Sequence, residues 1–73
     1  MTNTKALREI IRSKGLKLNY IAEKLNLSPY GLSLKIDNKT EFKTGEITAL
    51  CELLGITTLG EKERIFFAKK VDL

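Results

Sequence analysis

Residues 16–36 read LKLNYIAEKLNLSPYGLSLKI, two short apolar-periodic segments separated by Leu25-Asn26-Leu27-Ser28. In the first segment Leu18, Ile21, Ala22 and Leu25 fall at i, i+3, i+4 and i+7, one stripe of a short helix facing a core. Asn26 follows, and asparagine tolerates the left-handed backbone that closes many helices. Ser28 then offers its hydroxyl as an N-cap. Pro29 takes N1, where its fixed φ suits the helix and its missing N–H costs nothing. With that cap, Leu27 is N′ and Leu32 is N4, the two members of a hydrophobic staple. Leu32 and Ile36 carry the inward face of the second segment, which runs from Pro29 to about Ile36. The length and pattern are those of a helix-turn-helix unit.

Upstream, Thr2 to Lys14 reads as a helix with Thr2 or Thr4 as cap, Ala6, Leu7, Ile10 and Ile11 inward, and Gly15 as its C′ residue. Leu16 staples onto Ile21, which puts Lys17 near the N-cap of the next helix and Leu18 and Asn19 in its first turn. Lysine is a poor N-cap, so stability does not explain Lys17. Downstream, Asp37-Asn38-Lys39-Thr40 is a turn with Asx chemistry, and Phe42 plugs the core. Thr44 caps a helix whose Ile47, Leu50, Cys51 and Leu54 face inward before Gly55 closes it. Thr58-Leu59-Gly60-Glu61 has the form of a capping box opening a last helical segment through about Ala68.

Ile65, Phe66 and Phe67 are adjacent and cannot all face one side of that helix. Part of the cluster therefore covers another surface of the domain or meets a second copy in a homodimer. Lys69 to Leu73 reads as a frayed end or a short strand. The expected fold is all-α: a compact bundle of about five short helices with a central helix-turn-helix, one domain over 1–73, and a C-terminal helix or tail over about 58–73. No repeat, low-complexity stretch or dividing linker interrupts it.

The 73 residues are near the size at which a single core only just offsets chain entropy. The one cysteine excludes an internal disulfide, and without histidine there is no His/Cys set of metal-ligand spacing. No cofactor is expected. The longest apolar run, Ile65-Phe66-Phe67-Ala68, is far too short to cross a bilayer, and the N-terminus lacks an apolar leader core. A cytoplasmic setting is expected, with no membrane partner.

Charge is uneven along the chain. Residues 1–43 hold nine Lys/Arg against four acids, a balance of +5, whereas residues 44–73 hold four against five, a balance of −1. The basic half contains the motif, which favours an anionic partner. An enzyme is the weakest class: Cys51 points inward, no Gly-rich phosphate loop appears, and the carboxylates are scattered among lysines.

From Leu7 to Leu54 the chain resembles the Cro/C1-type helix-turn-helix regulators of temperate phages, whose pattern runs roughly G-L-S/T-Q-x-x-L-A-x-x-L-G-V-S-x-x-x-I-S. It matches at Gly15, Leu16, Ile21, Ala22, Leu25, Leu27, Ser28, Leu32 and Ser33. The run from Lys35 to Phe42 and the tail Ile65-Phe66-Phe67 are similar to a subgroup of small regulators from phages of Gram-positive bacteria. The resemblance implies a lambda-repressor-like bundle and double-stranded DNA as partner, read in a bacterial host cell. It departs at Lys17 and Leu18, where the family usually has Ser/Thr then Gln, a common phosphate-contacting pair. At the positions of the family's base readers stand Pro29, Tyr30, Ser33 and Leu34, a less polar set than usual.

The candidate binding residues are Lys17, Leu18, Asn19, Ser28, Pro29, Tyr30, Gly31, Ser33, Leu34, Lys35 and Lys39. Lys17 and Asn19 are placed to donate to phosphates, and Lys39 and Lys43 to grip one beyond the second motif helix. Tyr30, Ser33 and either Leu34 or Lys35 turn outward, with Tyr30, Ser33 and Lys35 able to meet base edges. Gly31 weakens that helix and admits a close neighbour. A second class competes with DNA reading. Small proteins resembling this one include modulators of repression, which bind a phage repressor protein. Leu18, Tyr30, Gly31 and Leu34 suit such a protein anchor.

Overall fold

A computed structural model describes residues 1–69 as five α-helices with no strand among them. They are α1 (Thr4–Ser13), α2 (Leu18–Lys24), α3 (Pro29–Ile36), α4 (Thr44–Leu54) and α5 (Leu59–Phe66). The first four close in the same way. The residue just past the cap, or in α4 the cap itself, takes the left-handed backbone: Gly15, Asn26, Asn38 and Gly55, with φ of 68, 59, 62 and 70°. The next N–H reaches back to the carbonyl five residues earlier: Leu16 to Ile11, Leu27 to Ala22, Lys39 to Leu34 and Ile56 to Cys51. This is the Schellman arrangement, which satisfies the last carbonyls and turns the chain sharply. Four such stops are what fold so short a chain back on itself.

The side chain just past the left-handed residue normally packs on the helix it ends. Leu16, Leu27 and Ile56 do so, joining the core or its edge. At the end of α3 the same position holds Lys39, which is exposed.

The core is built from the expected stripes, except that Ile10 and Leu18 reach only its edge. Leu7, Ile21, Leu32, Ile36, Leu50, Leu54 and Ile65 are fully buried, with Ala6, Ile11, Ala22, Leu25, Ile47, Cys51 and Phe66 around them. α2 packs on α3 and α4, and α1 on α3 and α5. Phe42 lies at the edge of the core with its ring edge-on to Phe66, centroids 5.7 Å apart. Burial raises the Cys51 thiol above its ordinary value, outweighing the opposing pull of Lys62, so it stays protonated.

Three local expectations are corrected. The cap of α1 is Asn3, not Thr2 or Thr4: its Oδ1 accepts from the Ala6 N–H at 3.1 Å. The cap position of α4 is Lys43 rather than Thr44. Lysine has no acceptor, so Glu46 at N3 supplies the interaction by accepting the Lys43 N–H at 2.8 Å. The last helix ends at Phe66 rather than near Ala68. Its start is capped by Thr58 as expected, the hydroxyl accepting from the Glu61 N–H at 3.2 Å, but the Glu61 carboxylate does not return the bond, so the capping box is only half formed. The tail cluster divides: Ile65 and Phe66 enter the core and Phe67 is 57% exposed. Of the closing segment, residues 70–73 lie outside the described residues.

Thr2 and Thr4 have another task. The Thr4 hydroxyl donates to the Ile36 carbonyl at 2.6 Å, and the Asn38 amide pairs with both backbone groups of Thr2, each at 2.8 Å. Arg8 bridges to Asp37 at 2.9 Å. The beginning of the chain thus grips three consecutive residues at the end of α3, and on its other side the Asn3 N–H donates to the Ile65 carbonyl at 2.7 Å. Asn38→Ala should lower stability by about 2 kcal/mol, because it strands two backbone groups of buried Thr2 and strains a positive φ. Asn38→Gly, which removes only the strain, should recover roughly 1 kcal/mol of that in urea melts.

Candidate nucleic-acid interface

The turn between α2 and α3 has the predicted chemistry at each step. Asn26 is left-handed, Ser28 Oγ accepts from the Gly31 N–H at 2.9 Å, and Pro29 opens α3. A side chain at Gly31 would crowd that cap, although Ala6 and Glu61 occupy the same third position beneath the caps of α1 and α5. A Cβ there would lie 3.1 Å from Ser28 Oγ, tighter than an ordinary contact.

With Leu32 and Ile36 buried, the opposite side of α3 carries Tyr30 and Leu34, one turn apart. Tyr30 is 73% exposed. Ser28 and Pro29 are exposed, and Gly31, Ser33 and Leu34 are partly covered. Lys17 and Asn19 are exposed at the start of α2, while Leu18 is partly buried against the core. Lys39 is exposed just past the end of α3.

Lys35 is not available on this surface, contrary to expectation. Its Nζ donates to Glu46 Oε1 at 2.7 Å and to the Glu41 carbonyl at 3.0 Å, and its side chain is only 11% exposed. Its place on α3 is beside the buried stripe rather than opposite it, so the ammonium folds onto the start of α4. The open choice between Leu34 and Lys35 for the outward face is resolved in favour of Leu34.

Electrostatics distinguish the helix starts. α4 and α5 carry Glu46 and Glu61 in their first turns, which offset the positive end of the helix dipole. α1, α2 and α3 carry no acid there; Asn3 caps α1 and Ser28 caps α3, so of these three only α2 starts without a side-chain cap. In α3 Pro29 has no N–H and Ser28 takes that of Gly31, so within the motif the backbone N–H groups without a side-chain partner lie mainly at the start of α2, beside Lys17. Among the cations of the basic half, Arg8 and Lys35 are held in ion pairs. Lys17, Lys39 and Lys43 have no ion pair among the described residues.

One exposed feature was not anticipated. Tyr20 and Lys24 project from α2, the ammonium 5.4 Å from the ring centroid. Their i, i+4 spacing is the signal that could have shown it. Among the described residues no cluster of three or more His, Cys, Asp or Glu is placed to hold a metal ion. No helix there is long and apolar enough to cross a membrane. Comparison of the chain with family models, curated proteins and solved structures finds no match.

Proposed function

We propose that the chain is a helix-turn-helix transcription regulator of a phage-type genetic switch, acting in the cytoplasm of a bacterial host by laying α3 in the major groove of double-stranded DNA. The observation that carries this reading is the α2–α3 pair itself, with the start of α2 free of acid and of any side-chain cap and with exposed Lys17 before α2 and Lys39 after α3. Cations at both ends of the motif fix register on phosphates, and the outward side chains of α3 meet the bases between them. Lys39 replaces the apolar residue that the other three helix ends carry at that position, which packing alone does not account for.

The base-reading set is Tyr30, Ser33 and Leu34. Tyr30 can pack on a thymine methyl and use its hydroxyl, and Ser33 can pair with several base edges. Each bidentate base contact contributes about 1 to 3 kcal/mol of discrimination, and this face has no Arg, Asn or Gln to form one. Selectivity then requires a second copy or a neighbouring protein on the same DNA. In the tail, Phe67 is the exposed member for such a homodimer.

A second reading is favoured by one observation, the withdrawal of Lys35 into its pair with Glu46. Tyr30 and Leu34 then form an aromatic-aliphatic pair on α3 suited to anchoring a phage repressor protein. In this case the chain is a modulator of repression.

Fluorescence anisotropy against random duplex DNA and the gene's own upstream region, at about 50 and 200 mM salt, separates the two. The DNA reading expects salt-sensitive binding that favours the upstream DNA. Lys17→Glu and Lys39→Glu should each weaken all sequences alike, and neutral variants at these positions should lower the salt slope by about one. Tyr30→Ala should alter preference among sequences. Absence of binding at low salt would leave α3 to the protein partner.

A further inference from the structure

We propose that the groove between the end of α1 and the start of α2 docks an acidic, amphipathic segment of another protein. The groove encloses about 280 Å3 and is lined by Arg8, Ile11, Arg12, Leu16 and Leu18. It lies off the outward face of α3 and shares Leu18 with the candidate binding set; the inference goes beyond the DNA reading and does not rest on it.

The walls and floor differ in chemistry. Arg8 and Arg12 stand one turn apart on α1, and Lys5 extends the same stripe at i−3 from Arg8. Arg12 is exposed and has no carboxylate partner among the described residues. Arg8 holds Asp37 through one nitrogen, with its side chain 38% exposed. Between these cations Ile11 is buried, while Leu16 and Leu18 are packed on the core yet partly open.

Charge complementarity selects the occupant. Arg12, which has no carboxylate partner among the described residues, calls for an anion, with Arg8 beside it holding Asp37 through one nitrogen only, and arginine pairs especially well with the planar carboxylate. A DNA phosphate would meet the cations but bring nothing apolar to Leu16 and Leu18. An amphipathic segment carrying carboxylates beside aliphatic side chains satisfies both, as in helix-in-groove recognition. The groove is open and its volume is at the low end for small-molecule pockets, a size that suits one or two anchoring side chains.

The test is a titration of the full chain, followed by backbone amide chemical shifts, with three probes. One is a synthetic peptide of about fourteen residues with two leucines one turn apart and three glutamates on the same face. The second has glutamine at those glutamates, and the third is random duplex DNA. The expected result is that the acidic peptide shifts residues 8–12 and 16–18, with a Kd of about 10 to 100 μM, as fits a small contact. Arg12→Glu, whose side chain is exposed and leaves the core intact, should weaken it about tenfold or more. The glutamine peptide should lose a similar factor. Silence at millimolar peptide overturns the proposal, as do shifts centred on Tyr30 and Leu34. It is also overturned if DNA shifts the groove and the peptide does not, since the groove is then a phosphate site. A peptide response without any DNA binding sustains the groove and removes the DNA reading.

Discussion

Replacing Leu32 by alanine is expected to lower stability by about 3 to 5 kcal/mol, the range for a large buried aliphatic truncated where the surroundings cannot collapse. Leu32 has no exposed surface and, with Ile36, forms the buried side of α3. α3 is only eight residues long, too short to hold its shape without tertiary packing. A domain of this size has roughly 4 to 10 kcal/mol in total, so the substitution removes a large part of it. In a thermal melt the midpoint should fall by about 15 to 30 °C. Ile36→Val, which deletes one methylene from the same side, should cost only about 1 kcal/mol. If Leu32→Ala melts within a few degrees of the parent, α3 is not anchored by this side chain. At temperatures where the variant is partly unfolded, any partner that docks on Tyr30 and Leu34 should lose affinity in proportion to the folded fraction, DNA or protein alike. The stability effect therefore has to be measured before any binding defect at α3 is interpreted.

The parts of the fold that were legible in the sequence are those governed by local chemistry. Ser28-Pro29 marks a helix start through groups two or three residues apart. Asn26 marks a helix end because few residues accept a positive φ, and the stripes of α2 and α4 follow from a 3.6-residue period. Asn38 shows where this stops. Its turn was expected from residue type. Its left-handed conformation at the end of α3 belongs to that local chemistry, but its pairing with Thr2, 36 positions away, leaves no trace in the sequence. The neighbouring contact bears on the capping error in α1: the end of α3 engages the Thr4 hydroxyl and the Thr2 backbone, and Asn3 takes the capping role. At α4 two adjacent residues compete for the cap, and Glu46 decides for Lys43 by reaching back to its N–H.

The candidate surface follows the same division. Tyr30 and Leu34 are outward because Leu32 and Ile36 are inward, a consequence of helix geometry alone. Lys35 is the exception. A lysine flanking the buried stripe can extend into solvent or turn toward an acid on another helix, and only the position of Glu46 determines which. The groove of Arg8, Arg12, Leu16 and Leu18 joins two helices across a turn, so the apolar periodicity that marks each helix does not show it.

The Lys35–Glu46 pair should itself have a large effect. Both side chains are nearly covered, at 11 and 13% exposure, and the carboxylate accepts from the Lys35 ammonium and the Lys43 N–H together. Lys35→Ala leaves a covered carboxylate with one weaker partner, and should cost about 2 to 4 kcal/mol. Lys35→Met combined with Glu46→Leu removes both charges and should restore most of that loss, because a matched apolar pair avoids the desolvation penalty. Burial raises the Glu46 pKa, but the Lys35 hydrogen bond, the Lys43 N–H and the two ammonium charges together hold it below the ordinary glutamate value. A carboxyl whose pKa is lower in the folded chain than in the unfolded one binds protons preferentially on unfolding. Its contribution is complete above the ordinary glutamate value of about 4.3 and disappears as pH falls through the folded value. Urea melts from pH 7 down to pH 3 should therefore show the parent losing stability on acidification below about pH 4.5, and the Lys35→Met/Glu46→Leu protein losing less over the same window. The double variant also bears on function. If Lys35 is committed to Glu46, removing it with its partner leaves net charge unchanged and should leave the salt slope of DNA binding as it was, whereas neutralising Lys17 should lower that slope by about one. A fall in slope for the double variant would return Lys35 to the binding surface and show that its pair with Glu46 opens when a partner arrives.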